Sequence, residues 1–144
     1  MAERITRGAT RSGRKGAVVL ALRGDLGTGK TTFAQGFLKG LGVKKRVASP
    51  TFVIIRRRAL RRSHSARRKV FTNIFHIDAY RLKSAAHLAA LGFKEILADP
   101  GNIVLIEWAE RAKKTVPKRA LWLTFLHGKR ENERSIIITQ PIEP

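Results

Sequence analysis

The chain contains no cysteine, so neither a disulfide framework nor a thiolate metal site is open to it. That absence is compatible with a reducing compartment, and a cytoplasmic location is expected. No apolar run approaches the ~20 residues a membrane span requires, so no membrane partner is expected. Acids are scarce: 10 Asp and Glu stand against 30 Lys and Arg in 144 residues, a formal net charge of +20. A surface of that sign attracts polyanions nonspecifically and in a salt-dependent way. Aromatic residues make up 7% of the chain, and none lies between Arg56 and Lys69, which leaves that basic stretch without a base-stacking platform. The hydrophobic fraction of 43% is ordinary for a globular chain, and the length suits one compact domain.

Against this background one stretch is rich in what matters. GDLGTGKTTF, Gly24 to Phe33, carries three glycines, a lysine and two adjacent threonines. The preceding run, Ala17 to Leu22, is short, continuous and apolar, as a strand buried on both faces reads. After it, Phe33, Phe37, Leu38 and Leu41 recur at helical spacing up to Gly42. The glycines therefore sit on a strand-to-helix turn, and Gly24-x-x-x-x-Gly29-Lys30-Thr31 matches the phosphate-loop pattern in full. Glycine permits backbone angles and close approaches that a Cβ would block, and successive N–H groups then form a nest for phosphate oxygens. The residues from Asp25 through Gly27, Thr28 and Gly29 line that nest. The N-terminus of the following helix adds its free donors and its dipole. Lys30 is expected on the β- and γ-phosphates, Thr31 on Mg²⁺, and Thr32 near the α-phosphate. The ligands expected from the loop are thus a nucleotide, held by its phosphates, and Mg²⁺; that the nucleotide is ATP is implied by the family resemblance given below.

The rest of the chain alternates elements. Residues 1–16, rich in Arg, Ser, Thr and Gly, read as a basic and poorly ordered tail, and 17–144 as a single phosphate-loop domain. Phe52 to Ile55 and Val70 to Ile77 read as two strands of an antiparallel hairpin whose tip carries the basic run from Arg56 to Lys69. Ser84 to Phe93 reads as a short helix ending at Gly92, and Asn102 to Trp108 as a third buried strand. Two further strands, from Ala120 and from Arg134, close the chain across a polar turn. Together these predict an α/β fold, a three-layer α/β/α arrangement of phosphate-loop NTPase type with a mixed sheet and antiparallel hairpins in the middle and at the C-terminus.

A phosphate loop needs a second acid on a neighbouring strand tip to hold Mg²⁺ and its waters. Asp78 and Glu107 each end an apolar run. Glu107 follows the cleaner run and is assigned to the metal shell, while Asp78 orients or deprotonates an attacking water. The plainer alternatives are that Asp78 caps the helix beginning near Ser84, and that Glu107 is a surface acid paired with an arginine. His76, beside an apolar strand, reads as structural. His64, His87 and His127 form no pattern, and no zinc-ligand spacing is present.

GDLGTGKTTF, SPTF (Ser49 to Phe52), HIDAYRL (His76 to Leu82), LGF-x-E (Leu91 to Glu95) and IEW (Ile106 to Trp108) occur in that order. In this combination the chain resembles the TsaE family, also called YjeE, the small ATPase of bacterial tRNA threonylcarbamoyladenosine synthesis. The resemblance covers roughly residues 17–117 and extends more loosely to the arginine-bearing hairpin near Arg134. It implies a role in modifying adenosine 37 of tRNAs that read codons beginning with A. It also implies a TsaD–TsaB transferase pair as partner, and tRNA as an indirect one. By resemblance, Thr51 is a switch position sensing the γ-phosphate, Asp78, Tyr80 and Arg81 lie by the nucleotide, Trp108 packs beside the site and Arg134 contacts the nucleotide. Relatives carry a longer N-terminal segment with a threonine near the adenine, and an acidic helix where this chain has SAAHLAAL.

Two other readings of the residues compete. A small phosphate-loop kinase would use the basic hairpin as a lid, but SPTF and IEW have no ready role in binding an acceptor. A basic RNA-binding protein with a decayed nucleotide site would use Arg56–Lys69 for nonspecific contact with phosphate backbones.

Overall fold

The computed structural model describes residues 15–43, 54–60 and 71–139. Most of the expected N-terminal tail, the whole of SPTF with Thr51, and positions 61–69 of the basic stretch lie outside them. Six strands form one sheet: β1 (Val18–Arg23), β2 (Ile55–Ala59), β3 (Asn73–Asp78), β4 (Asn102–Glu107), β5 (Leu121–His127) and β6 (Arg134–Thr139). Their order across the sheet is β2-β3-β4-β1-β5-β6. The four inner strands run parallel, and β2 and β6 add antiparallel edges through hairpins with β3 and β5. The mixed sheet with a hairpin at each edge is the expected architecture.

The period of two along β1 sorts its residues into two cores. Val18, Leu20 and Leu22 pack with Ala34, Phe37 and Leu38 of helix α1 (Lys30–Gly40), together with Ile103, Leu105, Leu123 and Phe125. Val19 and Ala21 face the other way. They pack with Leu88 of α2 (Ala85–Ala90), Phe93 of α3 (Phe93–Ala98) and Ala109 and Ala112 of a 3₁₀ helix (Ala109–Ala112). Helices thus cover both faces of the central strands, which is why β1 and β4 read as continuous apolar runs rather than alternating ones.

The structure corrects several boundaries. The first hairpin strand is Ile55–Ala59, so Arg56, Arg57 and Arg58 belong to the strand and not to its tip. An edge strand tolerates them because its outer rim meets water, and charge there discourages pairing with another chain. Arg57 Nε donates to Asn73 Oδ1 on β3 at 3.0 Å. The segment from Ser84 divides at Leu91 and Gly92, where Gly92 takes φ 75° and a second helix begins at Phe93.

Where the phosphate loop begins, the backbone of Gly24 lies close against Phe125 of β5. Gly24 has φ 140°, and a Cβ there would stand 2.4 Å from the Phe125 carbonyl oxygen. Both torsion and space therefore demand glycine. Gly24→Ala is expected to cost about 2 kcal/mol or more, read as a lowered urea midpoint. An unchanged midpoint would mean that β5 yields freely at Phe125.

Candidate functional site

The phosphate loop, Asp78 and Glu107 lie at the C-terminal ends of parallel strands, where ligands of open α/β sheets bind. The loop leaves β1 at Gly24 and enters α1 through Gly29, which has φ 95° and open space where a Cβ would project. Glycine there serves torsion, not room. No side chain caps α1, so the first-turn amides are left to an anion. Thr28 is buried and ties the loop to itself, its Oγ1 donating to the Asp25 carbonyl at 2.7 Å. Asp25 and Gly27 lie exposed on the rim, Thr31 is half-buried, and Thr32 is exposed on the first turn of α1.

Lys30 is 4% exposed. Its ammonium donates to the carbonyls of Gly24 at 2.6 Å and Asp25 at 2.7 Å, and lies 3.7 Å from the centre of the Trp108 ring. Burial pushes its pKa below the ordinary lysine value, against the opposing fields of Glu110, Glu107 and Asp25. The charged amine therefore detracts from folding stability at neutral pH. That penalty fades as pH rises from the lowered value toward the ordinary lysine range.

Glu107 ends β4 and is 2% exposed. Its Oε2 accepts from the Thr31 hydroxyl at 2.7 Å, and its Oε1 lies 2.7 Å from Nε2 of His76, itself 1% exposed. The alternative of a surface acid paired with an arginine is overturned. A carboxylate accepts only, so His76 Nε2 carries the donated proton. The other ring nitrogen, Nδ1, is buried without a hydrogen-bond partner. His76 thus takes part in the site as the residue that orients Glu107. The sequence reading left His76 as structural, because its partner lies across the sheet and not along its own strand.

Asp78 stands directly opposite Glu107 in the β3–β4 register. Its Oδ1 accepts from the Tyr80 N–H at 3.0 Å, so it caps the 3₁₀ helix Ala79–Arg81 and not the helix after Ser84. Trp108 follows Glu107 in a left-handed conformation, φ 57° and ψ 40°, a strained choice for a bulky residue. Tyr80 packs on it at 4.9 Å between ring centres. Arg111 lies 4.3 Å over Tyr80 and donates to the Tyr80 carbonyl at 2.8 Å. Lys30, Trp108, Tyr80 and Arg111 therefore form one stack. Arg111 carried no sequence signal, because a lone arginine in so basic a chain is inconspicuous. Arg134 reaches the loop from β6, its Nε donating to the Gly27 carbonyl at 3.2 Å.

Among the described residues no group of three or more His, Asp or Glu converges as a metal cage. The Thr31–Glu107 oxygen pair suits Mg²⁺, which keeps most of its waters and takes few protein ligands beside phosphate.

The bond from His76 to Glu107 has a measurable consequence. His76→Leu leaves a buried carboxylate oxygen unpaired and is expected to cost about 1–3 kcal/mol in urea unfolding. His76→Gln, which retains an N–H donor, is expected to cost less. Equal losses would assign the effect to packing and not to the bond.

Comparison with known proteins finds relatives of this chain in sequence and in fold. The profile of the family described as "Threonylcarbamoyl adenosine biosynthesis protein TsaE" matches residues 1–136. The chain is 34% identical over 125 residues to the tRNA threonylcarbamoyladenosine biosynthesis protein TsaE of Bacillus subtilis, covering 84% of this chain and 68% of that one. It is 40% identical over 96 residues to the protein of the same name in Rickettsia felis, covering 66% of this chain and 50% of that one. The chain therefore spans between half and about two thirds of the length of these relatives. The crystal structure of Bacillus subtilis YdiB superposes with a TM-score of 0.62 at 29% identity, covering 98% of this chain and 81% of that one. The chain belongs to the TsaE family.

Proposed function

We propose that this chain binds ATP with Mg²⁺ in its phosphate loop and hydrolyses it in support of threonylcarbamoyl modification of adenosine 37 in tRNA, acting with a TsaD–TsaB pair. The observation that carries the chemistry is the 2.7 Å contact between the Thr31 hydroxyl and Glu107. Residues 76 apart in sequence bring together the two oxygen donors that a phosphate-bound Mg²⁺ needs. The tRNA connection is supported by the family and by its relatives' names.

In this reading the loop amides and Lys30 take the phosphates, and Thr31 and Glu107 hold the metal. The metal, when bound, neutralises charge on the phosphates. His76 keeps one Glu107 oxygen engaged so that the other faces Thr31. Asp78, one strand away, orients the attacking water and accepts its proton. Trp108 packs over Lys30 from outside, and Thr51 senses the γ-phosphate. Arg134 approaches the nucleotide from the loop rim. TsaD–TsaB would supply what the isolated chain lacks for rapid turnover, as partners often reposition such sites. Arg56–Lys69 offers nonspecific contact to tRNA, with Arg56, Arg57 and Arg58 presented on β2.

Lys30→Met is expected to weaken ATP binding roughly 10- to 100-fold, the worth of a hydrogen bond to a charged group. Unchanged affinity would sink the phosphate-loop role. Asp78→Asn is expected to bind ATP as before while hydrolysis drops by about 10²- to 10⁴-fold. Loss of binding instead would make Asp78 a metal or structural residue. Mg²⁺-dependent hydrolysis, alone and with TsaD–TsaB, tests the pathway assignment with Glu107→Ala as control. Turnover indifferent to the pair would remove that assignment and leave the ATPase.

A further inference from the structure

β2 is an edge strand, paired only to β3, and carries Arg56, Arg57 and Arg58 in succession. Opposite them on β3 stand His76, Phe75 and Ile74, so no carboxylate faces the row across the strand pair. Arg56 and Arg58 share the sheet face of Ile74 and α1, about 6.6 Å apart along the strand. Arg57 takes the other face with Phe75, its Nε bound to Asn73 Oδ1. The Nε of Arg58 is buried and has no hydrogen-bond partner among the described residues. Buried donors are as a rule bonded, so this one points to an acceptor from outside the chain. Three guanidinium groups thus straddle one sheet edge, and none makes an ion pair among the described residues.

A row of this shape fits a linear polyanion. Guanidinium groups match phosphate oxygens in bidentate pairs. No aromatic side chain stands on β2, which favours contact with a phosphodiester backbone over contact with bases. A membrane surface is the poorer match, because no exposed large apolar side chain among the described residues lies on β2.

The strand also reaches the site. The Asp78 N–H donates to the carbonyl of Ile54, one residue before β2, at 3.0 Å. Arg56 stands opposite His76, whose Nε2 holds Glu107. Like charges in succession repel one another and oppose the pairing of β2 with β3. Phosphates along the row remove that repulsion, and the pairing they strengthen is the one that holds Asp78 and His76.

We propose that Arg56, Arg57 and Arg58 form an RNA-backbone site on the β2 edge, and that RNA bound there raises the rate of ATP hydrolysis at the neighbouring strand ends. This is more than a diffuse attraction of the whole surface: one edge binds, and its occupancy controls turnover. The control rests on the ATPase reading, whereas the binding does not.

The test compares wild type with Arg56→Gln/Arg57→Gln/Arg58→Gln and with Lys94→Gln/Lys114→Gln/Lys118→Gln, which removes the same charge from exposed positions elsewhere. Arg56→Lys/Arg57→Lys/Arg58→Lys keeps the charge and shows that the fold survives substitution along this edge. Fluorescence anisotropy follows a labelled single-stranded RNA across a salt series. Mg·ATP hydrolysis is measured alone, with that RNA and with polyglutamate. The arginine-to-glutamine variant is expected to weaken RNA binding about ten-fold or more and to lower the salt slope by about 2, as three single-strand phosphate contacts are lost. The variant at the three lysines is expected to change both far less. RNA is expected to raise wild-type hydrolysis about five-fold. The arginine-to-lysine variant keeps most of that response, and the arginine-to-glutamine variant loses it. Equal weakening by the two glutamine variants would mean that net charge alone binds RNA, and would overturn the site. Binding specific to the edge, with hydrolysis indifferent to RNA, would overturn the control and leave the binding. Equal stimulation by polyglutamate would assign the edge to an acidic protein and overturn the RNA reading. No hydrolysis under any condition would overturn the ATPase reading and the control with it, while anisotropy still decides the binding.

Discussion

The buried carboxylate of Glu107 is the constraint on which the site depends. A carboxyl group 2% exposed is costly unless both oxygens are engaged, and here each is: one by the Thr31 hydroxyl, the other by His76. Those two bonds fasten the first turn of α1 and the end of β3 to the end of β4. The same carboxylate that would serve a metal thus fixes the relative position of the phosphate loop and of Asp78. Because the oxygen toward Thr31 is shared only with a neutral hydroxyl, it can turn to a cation without stranding a charged partner. The histidine bond stays in place and keeps the ring of donors oriented.

A second constraint acts on Lys30. Its amine is desolvated and lies between two loop carbonyls and the face of Trp108. The cation–π contact compensates part of the lost hydration. Trp108 adopts a left-handed backbone to reach that position, and such strain persists only where surrounding contacts over-determine it. Tyr80 and Arg111 provide those contacts. The stack therefore links the segment after β3, the segment after β4 and the phosphate loop in one line of rings and cations. Tyr80, 49% exposed, carries the stack outward from Trp108 to Arg111.

The excess of positive charge has little part in the fold. The buried His76–Glu107 contact between β3 and β4 involves no lysine or arginine. Arg56, Arg57 and Arg58 line an edge strand, and Arg23 lies against Thr124 and Trp122 near the end of β1. The cations serve edges, carbonyls and aromatic faces. Their net sign is a property of the surface and of the polyanions it attracts.

The linear order of residues determined the α/β class, the phosphate loop and the two acids. Each depends on local patterns: an apolar run both of whose faces are buried, glycines at fixed spacing, an acid at a strand tip. The placement of Glu107 beside Thr31 was anticipated because phosphate loops need a second acid, and few acids exist here. The boundary of β2 was misplaced because three arginines resemble a solvated turn, and only pairing with β3 shows that an edge strand accepts them. The role of His76 was missed because its partner is 31 residues away on the neighbouring strand. Likewise Arg111 carries no signal along the chain; its stacking on Tyr80 arises only when separate strand ends converge. Periodicity fixes which face a side chain takes, but the sheet order β4-β1-β5 decides which side chains share that face. That order is set by long-range burial of β1 between two parallel neighbours, which no local pattern encodes.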